Sequence, residues 1–517
     1  MFNKTLLYIF LLLLLGISQS FSQDTILVPK REFRGTWLAT VANIDWPSRP
    51  GLSTEAQKNE LINILNNHQK SGINAIMMQI RPVTDAFYGD GKELWSRYLT
   101  GKQGKAPMPY YDPLTFAVDE AHKRGMELHA WFNPYRATMD LIQSHTDANH
   151  ITRTKPEWFF VYDGQKLFNP GIPEVREYII EVIMNVVRKY DIDAVHFDDY
   201  FYPYPEKGMT IRDQETFRTY GSEFETIADW RRHNVDTLIH TLSDSIHAEK
   251  KFMKFGISPF GIWRNLSQDP EGSESTGLDG YSQLYADARK WIKEGWVDYI
   301  NPQIYFPFFY RAAPYEKLVD WWSNNSFGKH VYIGHGAYRA MEKREGWREK
   351  TQIPDQIRYL RNNARVQGSV YFSSKSLRDN LAGLNDSLRT DFYKIPALQP
   401  VMLWLDGISP NAPRELRVLA SDKQAQLTWQ SPNKAKDGDV AYGYVIYRFN
   451  EGDHITIDNP KNILKISFDA SECTFTDTDV LPDSRYTYVV TAIDRLKNES
   501  ESSNLVGIKT PEIAEAK

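Results

Sequence analysis

Ile192-Asp193-Ala194-Val195-His196-Phe197-Asp198-Asp199-Tyr200-Phe201-Tyr202-Pro203 is the most informative part of this sequence, because an apolar strand pattern leads into two adjacent carboxylates and then into aromatic residues. Side chains alternate between the two faces of a strand. Val195 and Phe197 therefore share one face, and His196 and Asp198 share the other. If the apolar face packs on helices, His196 and Asp198 point into a polar interior at the carboxyl end of the strand. An α/β barrel keeps its chemistry at that end.

The chain from Arg34 to about Ser374 alternates short β-rich runs with longer helical stretches, which is typical of a parallel sheet built from βα units. Gly72 and Gly125 are predicted to end two of the helices. Eight units predict an α/β fold, a closed (β/α)8 TIM-type barrel, with an open doubly wound sheet as the alternative. No Gly-x-Gly-x-x-Gly follows any predicted strand, so dinucleotide binding has no support. The predicted strands are Arg34–Thr40, Ile73–Ile80, Glu127–Phe132, Ala194–Asp198, Lys254–Pro259, Tyr299–Tyr305, His330–Gly334 and Gly368–Phe372.

The N-terminus is typical of a secretory signal peptide, with Lys4, an apolar run from Leu6 to Leu15 and small residues before a predicted cleavage after Ser22. That run is short for a membrane span. The single cysteine, Cys473, lies far downstream, so we expect no lipid anchor, no intramolecular disulfide and no cysteine-based metal site. We predict a signal peptide over residues 1–22 and a periplasmic or secreted protein without a transmembrane anchor.

The remaining chain is predicted to hold two domains, which its 517 residues allow. Residues 23–398 form the barrel and residues 399–411 a linker. Residues 412–511 resemble a fibronectin type III module, a small all-β sandwich with Trp429 in its core. Residues 512–517 are a tail. We expect the sandwich to position the barrel, through contact with the cell envelope or a polysaccharide.

Polar and aromatic side chains gather at the predicted strand ends. Fixed donors and acceptors beside stacking planes are what a sugar pocket needs. Each of these residues could instead satisfy a neighbour's hydrogen bond, as buried polar groups commonly do. The candidate substrate-binding residues are Arg34, Gln79, Arg81, Asn133, Tyr135, His196, Tyr200, Ser258, Trp263, Arg264, Asn301, Gln303 and Tyr305.

Asp198 and Asp199 are the candidate catalytic residues. Two adjacent carboxylates repel each other, so one of them should have a raised pKa. A protonated carboxyl beside an ionised one is a working arrangement for acid/base chemistry. With aromatic residues at 13% of the chain, the pair predicts a glycoside hydrolase. The net charge of -5, without a basic run, argues against a nucleic-acid partner.

The mechanism is constrained by a shortage of carboxylates. The common glycosidase scheme uses two of them across the scissile bond, yet the last three predicted strand ends offer none. In substrate-assisted hydrolysis an N-acetyl group on the sugar attacks the anomeric carbon instead. Asp198 would then orient that group, Asp199 would protonate the leaving oxygen, and Tyr305 and Asn301 would bond the acetamido group. The common scheme would need a loop carboxylate, for which the candidates are Asp45, Asp85, Glu93 and Asp269.

At these residues the chain resembles the glycosyl hydrolase-like 10 family of exported bacterial proteins. The resemblance runs from Phe33 to about Tyr371. It implies a barrel that cleaves glycan in the cell envelope, with peptidoglycan stripped of stem peptides as the substrate and Asp198-Asp199 as the catalytic segment. The segments that carry it include Phe33–Thr40, Asp45–Pro47, Leu99–Lys102, Tyr111–Leu114, Ala130–Arg136, Asn169–Val175, Phe197–Tyr202, Asp229–Arg232, Ser258–Asn265 and Pro302–Tyr305.

Three functions stay open on the sequence alone. The first is an exported enzyme that hydrolyses N-acetylated glycan strands, above all peptidoglycan. The second is a hydrolase of another polysaccharide that uses one Asp of the pair with a loop carboxylate such as Asp85. The third is a non-catalytic glycan-binding barrel, which would have no need to hold two repelling carboxylates together. We predict no cofactor and no metal, since the acidic loop Asp269–Asp279 matches no Ca²⁺ loop.

Overall fold

The computed structural model describes residues 28–421 and 423–512. The predicted signal peptide, residues 1–22, lies outside the described residues, as do residues 513–517 of the predicted tail. Among the helices of the described chain, none combines the length and the apolar character that crossing a membrane requires.

Eight parallel strands close into a barrel, as predicted. Around the barrel the order is β1-β10-β9-β8-β7-β6-β3-β2, and β4 and β5 form a separate antiparallel hairpin. The strands of this part are β1 (Phe33–Leu38), β2 (Ala75–Arg81), β3 (Glu127–Phe132), β4 (Phe159–Tyr162), β5 (Gln165–Phe168), β6 (Ala194–Phe197), β7 (Lys254–Ile257), β8 (Tyr299–Ile300), β9 (His330–His335) and β10 (Gly368–Tyr371).

Helices follow the barrel strands, and two of them show why they begin and end where they do. Ser53 caps the first long helix, because its Oγ accepts from the Ala56 amide at 3.2 Å. That helix ends before Gly72, which has a positive φ of 72° and supplies the left-handed turn predicted for it. The α-helices are α1 (Thr54–Lys70), α2 (Arg97–Thr100), α3 (Pro113–His122), α4 (Ile151–Thr154), α5 (Pro173–Lys189), α6 (Gln214–Tyr220), α7 (Ile227–Glu249), α8 (Gly280–Gln283), α9 (Ala288–Lys293), α10 (Tyr315–Asn324), α11 (Gln352–Arg361), α12 (Ser374–Arg378) and α13 (Leu384–Ser387).

All eight predicted barrel strands are present, but β8 is much shorter than the predicted span Tyr299–Tyr305. The strand ends at Ile300, shortly before Pro302. Proline has no amide N–H for the ladder, so it interrupts a central strand. Gln303 returns to the sheet through isolated bridges to Phe260 and Gly334. The backbone between Ile300 and Gln303 is therefore a loop at the carboxyl end of the barrel.

The predicted alternation along β6 is confirmed. Val195 and Phe197 are fully buried in the apolar core that the helices share with the outer face of the barrel. His196 faces the barrel interior, since its ring nitrogens contact the Trp37 indole at 3.2 Å and the Tyr299 hydroxyl at 2.9 Å. The next inward position belongs to Asp198.

The C-terminal residues form two antiparallel sheets, ordered β11-β12-β15 and β14-β13-β16-β17. Trp429 and Leu427 of one sheet share an apolar core with Tyr444 and Val490 of the other, so the sheets pack face to face. A fibronectin type III-like identity stays a prediction, as do the proposed domain limits. The strands are β11 (Arg414–Ala420), β12 (Ala425–Gln430), β13 (Gly443–Asn450), β14 (Ile463–Ser467), β15 (Thr474–Asp477), β16 (Arg485–Ile493) and β17 (Val506–Lys509).

A charged contact joins these sheets to the amino-terminal end of the barrel. Lys497, which follows β16, is fully buried and lies 3.2 Å from Glu127 at the start of β3. Lys254, at the start of β7, approaches the same carboxylate at 2.5 Å. Both lysines hold the pKa of Glu127 well below its usual range against the effect of burial. Glu127 therefore stays ionised, and the C-terminal part of the chain supplies one of its two cations.

Lys497→Met should destabilise the protein by about 3 kcal/mol, because it removes one partner from a buried charged cluster and leaves the other charges in place. The midpoint of urea unfolding measures the effect. Lys509→Met is the matched control, since its ion pair with Asp483 is about half exposed and such pairs contribute little. Equal midpoints for the parent and Lys497→Met would show that the contact does not stabilise the fold.

Candidate active site

A cavity of about 220 Å³ opens at the carboxyl ends of the barrel strands. Its wall combines two carboxylates, three amide or hydroxyl side chains (Gln79, Ser258 and Gln303), one arginine and several aromatic rings. This composition suits a sugar, whose hydroxyls need hydrogen-bond partners and whose apolar ring faces need stacking surfaces. The lining residues are Trp37, Ala39, Val41, Ile44, Gln79, Trp131, Arg136, Asp198, Asp199, Tyr200, Ser258, Gln303, Tyr305, Tyr338 and Phe372.

Asp198 is held firmly by donors from β3 and from its own loop. The Trp131 indole N–H donates to its Oδ2 at 2.9 Å, and the Asn133 amide reaches both carboxylate oxygens at 3.1–3.2 Å. The Tyr200 backbone N–H donates to Oδ1 at 3.2 Å. Burial raises the pKa of Asp198, while Arg136 and these donors oppose the rise. The donors stabilise the ionised form and fix its orientation.

Asp199 is in a different environment. Burial, with the adjacent charge of Asp198, raises its pKa to about 7. The Tyr204 hydroxyl donates to its Oδ2, and this contact opposes the rise. One member of the pair is therefore protonated near neutrality while the other keeps several donors, which is the division that the sequence predicted for acid/base chemistry.

A series of hydrogen-bonded side chains lies below the cavity in the barrel interior. His196 contacts the Trp37 indole and the Tyr299 hydroxyl, and that hydroxyl also contacts His129 at 2.8 Å. His129 in turn contacts Glu127 at 3.0 Å. Burial lowers the pKa of His196 far below its ordinary value, so the ring is neutral. His196 thus supports the cavity wall through Trp37.

Seven residues predicted from the sequence line the cavity together: Gln79, Asp198, Asp199, Tyr200, Ser258, Gln303 and Tyr305. Gln79 Nε2 and Ser258 Oγ are buried and have no hydrogen-bond partner among the described residues, so both are available to a ligand. Asn133 acts through its bonds to Asp198, and His196 lies below the cavity.

Two predicted arginines are elsewhere, and here the interpretation of the sequence needs correction. Arg34 lies at the amino-terminal end of β1, where its Nε donates to Glu32 at 2.7 Å and its guanidinium stacks on Tyr393. Arg81 is buried in a two-fold bond with Glu93, with both distances 2.7 Å. Each guanidinium is paired with a protein carboxylate, and neither arginine lines the cavity.

Four further predicted residues do not line the cavity. Trp263 stacks on Trp321 with the centroids 5.5 Å apart, and Arg264 donates to Asp269 at 2.5 Å. Tyr135 and Asn301 are fully buried, and their polar side-chain atoms have no partner among the described residues. Their positions after strand ends made them candidates, but Trp263 and Arg264 pair with other protein side chains, and Tyr135 and Asn301 are absent from the lining of the cavity.

Several lining residues are not among the candidates that the sequence predicts. Trp37, Trp131 and Arg136 lie in segments already quoted for the resemblance. The inward positions of Trp37 and Trp131 follow from strand alternation, whereas Arg136 lies in the loop after β3, which alternation does not place. Tyr338 and Phe372 come after β9 and β10, where an aromatic residue alone is too common a signal. The contact of Tyr204 with Asp199 depends on how the loop after β6 folds back, which no periodicity predicts.

None of the four candidate loop carboxylates lines the cavity. Asp45 joins the loops after β1 and β10 by accepting from the Ala39 amide at 2.7 Å and the Ser373 hydroxyl at 2.8 Å. Asp85 is buried next to Gln103, and burial raises its pKa to about 7. Glu93 and Asp269 are paired with Arg81 and Arg264, as described. Within the described chain, the carboxylates of the cavity wall are Asp198 and Asp199.

The pKa directions predict a bell-shaped pH profile for activity. An acid at Asp199 works when protonated, so activity falls as pH rises through about 7. A stabilising carboxylate at Asp198 works when ionised, so activity falls again as pH drops through its raised pKa. The measurement is kcat/KM against pH with a soluble N-acetylated oligosaccharide, and a flat profile would contradict the assignment.

A closed eight-stranded barrel with such a carboxylate pair after its fourth strand defines the class of protein as a glycoside hydrolase-type barrel. The chain belongs to the glycosyl hydrolase-like 10 family, whose model matches residues 32–346. The predicted family and the predicted class of enzyme, a hydrolase of glycosidic bonds, are thereby confirmed.

Three similar proteins illustrate the relationship. The chain is 46% identical to the glycosyl hydrolase YngK of Bacillus subtilis (strain 168), over 92% of each chain. It is 38% identical to the glycosyl hydrolase DigH of Escherichia coli (strain K12), over 66% of this chain and 82% of DigH. Among solved structures, the PgaB (BpsB) glycoside hydrolase domain from Bordetella bronchiseptica covers 72% of this chain and 100% of its own, with 13% identity and a TM-score of 0.44.

Proposed function

We infer that this protein hydrolyses N-acetylated glycan strands, with peptidoglycan freed of its stem peptides as the substrate and the sugar's own acetamido group as the nucleophile. The observation that carries the inference is the composition of the cavity wall. Its two carboxylates are sequence neighbours, and the cavity wall described above contains no carboxylate on a different strand. A scheme with two carboxylates on opposite sides of the sugar needs such a group.

The two carboxylates suit the two roles that substrate assistance requires. In the first step the acetamido carbonyl oxygen attacks the anomeric carbon, the glycosidic C–O bond breaks, and Asp199 gives its proton to the leaving oxygen. Asp198, ionised, faces the acetamido N–H and stabilises the positive charge that develops on the ring formed. Water then attacks the anomeric carbon, returns a proton to Asp199 and opens that ring. Two displacements at one carbon give a product with retained anomeric configuration.

Neutral side chains of the cavity complete the proposed site. The Tyr305 hydroxyl lies close enough to Asp199 for that charge to raise its pKa further above its ordinary value, after burial. A tyrosine held protonated in this way can donate to the acetamido oxygen. Trp37, Trp131 and Phe372 provide apolar surfaces for the sugar ring and its acetyl methyl.

The polysaccharide alternative with Asp85 finds no support in the geometry, because Asp85 is buried next to Gln103 and does not line the cavity. The signal peptide predicted from the sequence supports a proposed activity outside the cytoplasm, in the periplasm or beyond. The C-terminal sheets are proposed to hold the barrel against the envelope.

The test is to incubate the mature protein with amidase-treated peptidoglycan, and separately with intact sacculi, and to identify the soluble products by mass spectrometry. We expect N-acetylated oligosaccharides from amidase-treated strands, and the product ends show which bond breaks. Asp199→Asn is the matched variant, and in an incubation that the parent completes within minutes it should release no detectable product. Release by both proteins, or by neither, would contradict the proposal.

A further inference from the structure

Arg136 lies between two cavities at the mouth of the barrel. It lines the 220 Å³ cavity and also a neighbouring cavity of about 130 Å³, which the hairpin β4–β5 helps to form. Tyr200 also lines both cavities, and the Arg136 guanidinium lies over its ring at 5.0 Å from the centroid. Only 8% of Arg136 is exposed. A nearly buried cation thus lines two neighbouring cavities.

Arg136 differs from the other buried arginines in having no protein carboxylate as its partner. Arg81, Arg231 and Arg361 each donate to an aspartate or glutamate at 2.5–2.8 Å. Arg136 uses its backbone N–H for Asn133 and its Nε for the Pro82 carbonyl at 3.1 Å. Counting the described residues alone, its Nη1 and Nη2 atoms donate to no protein group and form no ion pair.

Among the described residues, Arg136 acts on Asp198 only through space and has no hydrogen-bonded counter-ion. A buried charge without such a counter-ion costs free energy, and a ligand that supplies one recovers part of that cost. The planar guanidinium matches a carboxylate, which it can bond through two parallel N–H groups. We propose that Arg136 binds a carboxylate carried by the glycan, so that the enzyme selects a strand whose sugars bear free carboxylates. The inference rests on the proposed function, and it names the free carboxylate as the group of the substrate that the site recognises.

The proposal explains why stripped strands would be preferred. In peptidoglycan freed of stem peptides, every second sugar carries a lactyl ether with a free carboxylate. In strands that keep their peptides, the same carboxyl group is a neutral amide. The amide offers Arg136 one carbonyl oxygen and no charge.

Arg136 has a second physical effect that the experiment must separate from the first. Its charge lowers the pKa of Asp198. Removing it would therefore alter catalysis on every substrate, whether or not the substrate carries a carboxylate. Recognition of a substrate carboxylate predicts instead an effect that depends on the substrate.

The experiment compares two strands, amidase-treated glycan and the same glycan with its carboxyl groups reduced to alcohols, both with their N-acetyl groups intact. Affinities are measured by calorimetry in two proteins that do not cleave the strands, the Asp199→Asn variant and the double variant Asp199→Asn with Arg136→Gln. The values of kcat and KM are measured in the parent and in Arg136→Gln, which both keep Asp199. Binding to the reduced strand should be about 30-fold weaker than binding to the native strand. Arg136→Gln should weaken binding to the native strand by the same factor and leave binding to the reduced strand unchanged. Arg264→Gln is the control, because Arg264 lines neither cavity.

Each result bears on the proposal. Equal affinity for both strands, or an equal loss on both when Arg136 is replaced, overturns carboxylate recognition and leaves the proposed hydrolysis standing if the parent cleaves both strands. A preference for the native strand that survives in Arg136→Gln assigns the recognition to another residue. If the parent protein neither binds nor cleaves either strand, that result overturns the proposed function together with the inference.

Discussion

Asp199→Asn should lower kcat on amidase-treated glycan strands by about 10³-fold, because a positioned general acid contributes about 10²–10⁴-fold to such reactions. The alkaline limb of the pH profile should disappear with it, since that limb reports the carboxyl whose pKa burial and Asp198 raise to about 7. An N-acetylated aryl glycoside with an acidic phenol as leaving group needs little proton donation. On that substrate the variant should lose far less activity.

Asp85→Asn is the matched control for this prediction. Burial raises the pKa of Asp85 to about 7 as well, but Asp85 does not line the cavity. Its replacement should leave kcat and both limbs of the pH profile unchanged. If Asp85→Asn loses as much activity as Asp199→Asn, the polysaccharide mechanism with a loop carboxylate regains its support.

The stability of Asp199→Asn shows that lost activity is not lost folding. A carboxyl whose pKa is higher in the folded state than in the unfolded state destabilises the fold wherever it must ionise. The parent bears this cost fully above pH 7 and not at all below its ordinary pKa of 3.8. Asp199→Asn should therefore unfold at a higher urea concentration than the parent at pH 8, and the difference should vanish near pH 4.

Asp198→Asn should lower kcat by about 10²–10³-fold, the range seen when one electrostatic stabiliser of a transition state is removed. The loss should persist on the aryl glycoside, because stabilisation of the acetamido group is needed whatever the leaving group. Leaving-group dependence therefore separates the roles of Asp198 and Asp199. An Asp198→Asn variant that recovers on the aryl glycoside would show that the two assignments are reversed.

Trp131→Phe gives a graded version of this change. It keeps an aromatic wall and removes the indole N–H that donates to Asp198 at 2.9 Å. Because that donor favours the ionised carboxylate, the acidic limb of the pH profile should move to higher pH. An unchanged acidic limb would mean that Asp198 does not set it.

The barrel could be predicted from the sequence because its determinants are local. Each strand or helix is predicted by a pattern within its own segment. Examples are the alternating apolar residues around Val195 and Phe197 and the helix end at Gly72. The carboxylate pair could be placed for the same reason, since Asp198 follows directly from the alternation of β6. Pro302 indicates in the sequence that β8 ends early. The prediction of a longer strand followed instead from the apolar pattern that continues to Tyr305.

The rest of the site depends on contacts between distant segments, which a single sequence does not reveal. Arg34 and Arg81 carry the right chemistry for a sugar site, but Glu32 and Glu93 claim them in the fold. Arg136 has the same residue type and no such partner. The difference lies in whether a loop brings a carboxylate close to the guanidinium. The periodicity of apolar residues does not predict the conformation of a loop.

The most direct test of the central claim is the rate of hydrolysis across a series of glycan substrates whose N-acyl group is acetyl, fluoroacetyl, difluoroacetyl and trifluoroacetyl. Each fluorine withdraws electrons from the carbonyl oxygen and weakens it as a nucleophile, while the shape of the substrate changes little. Attack by the acetamido group predicts that kcat falls steeply and steadily along the series, with retained configuration in the first product. A rate that is flat across the series, or a product of inverted configuration, would contradict catalysis by the Asp198–Asp199 pair with the help of the substrate.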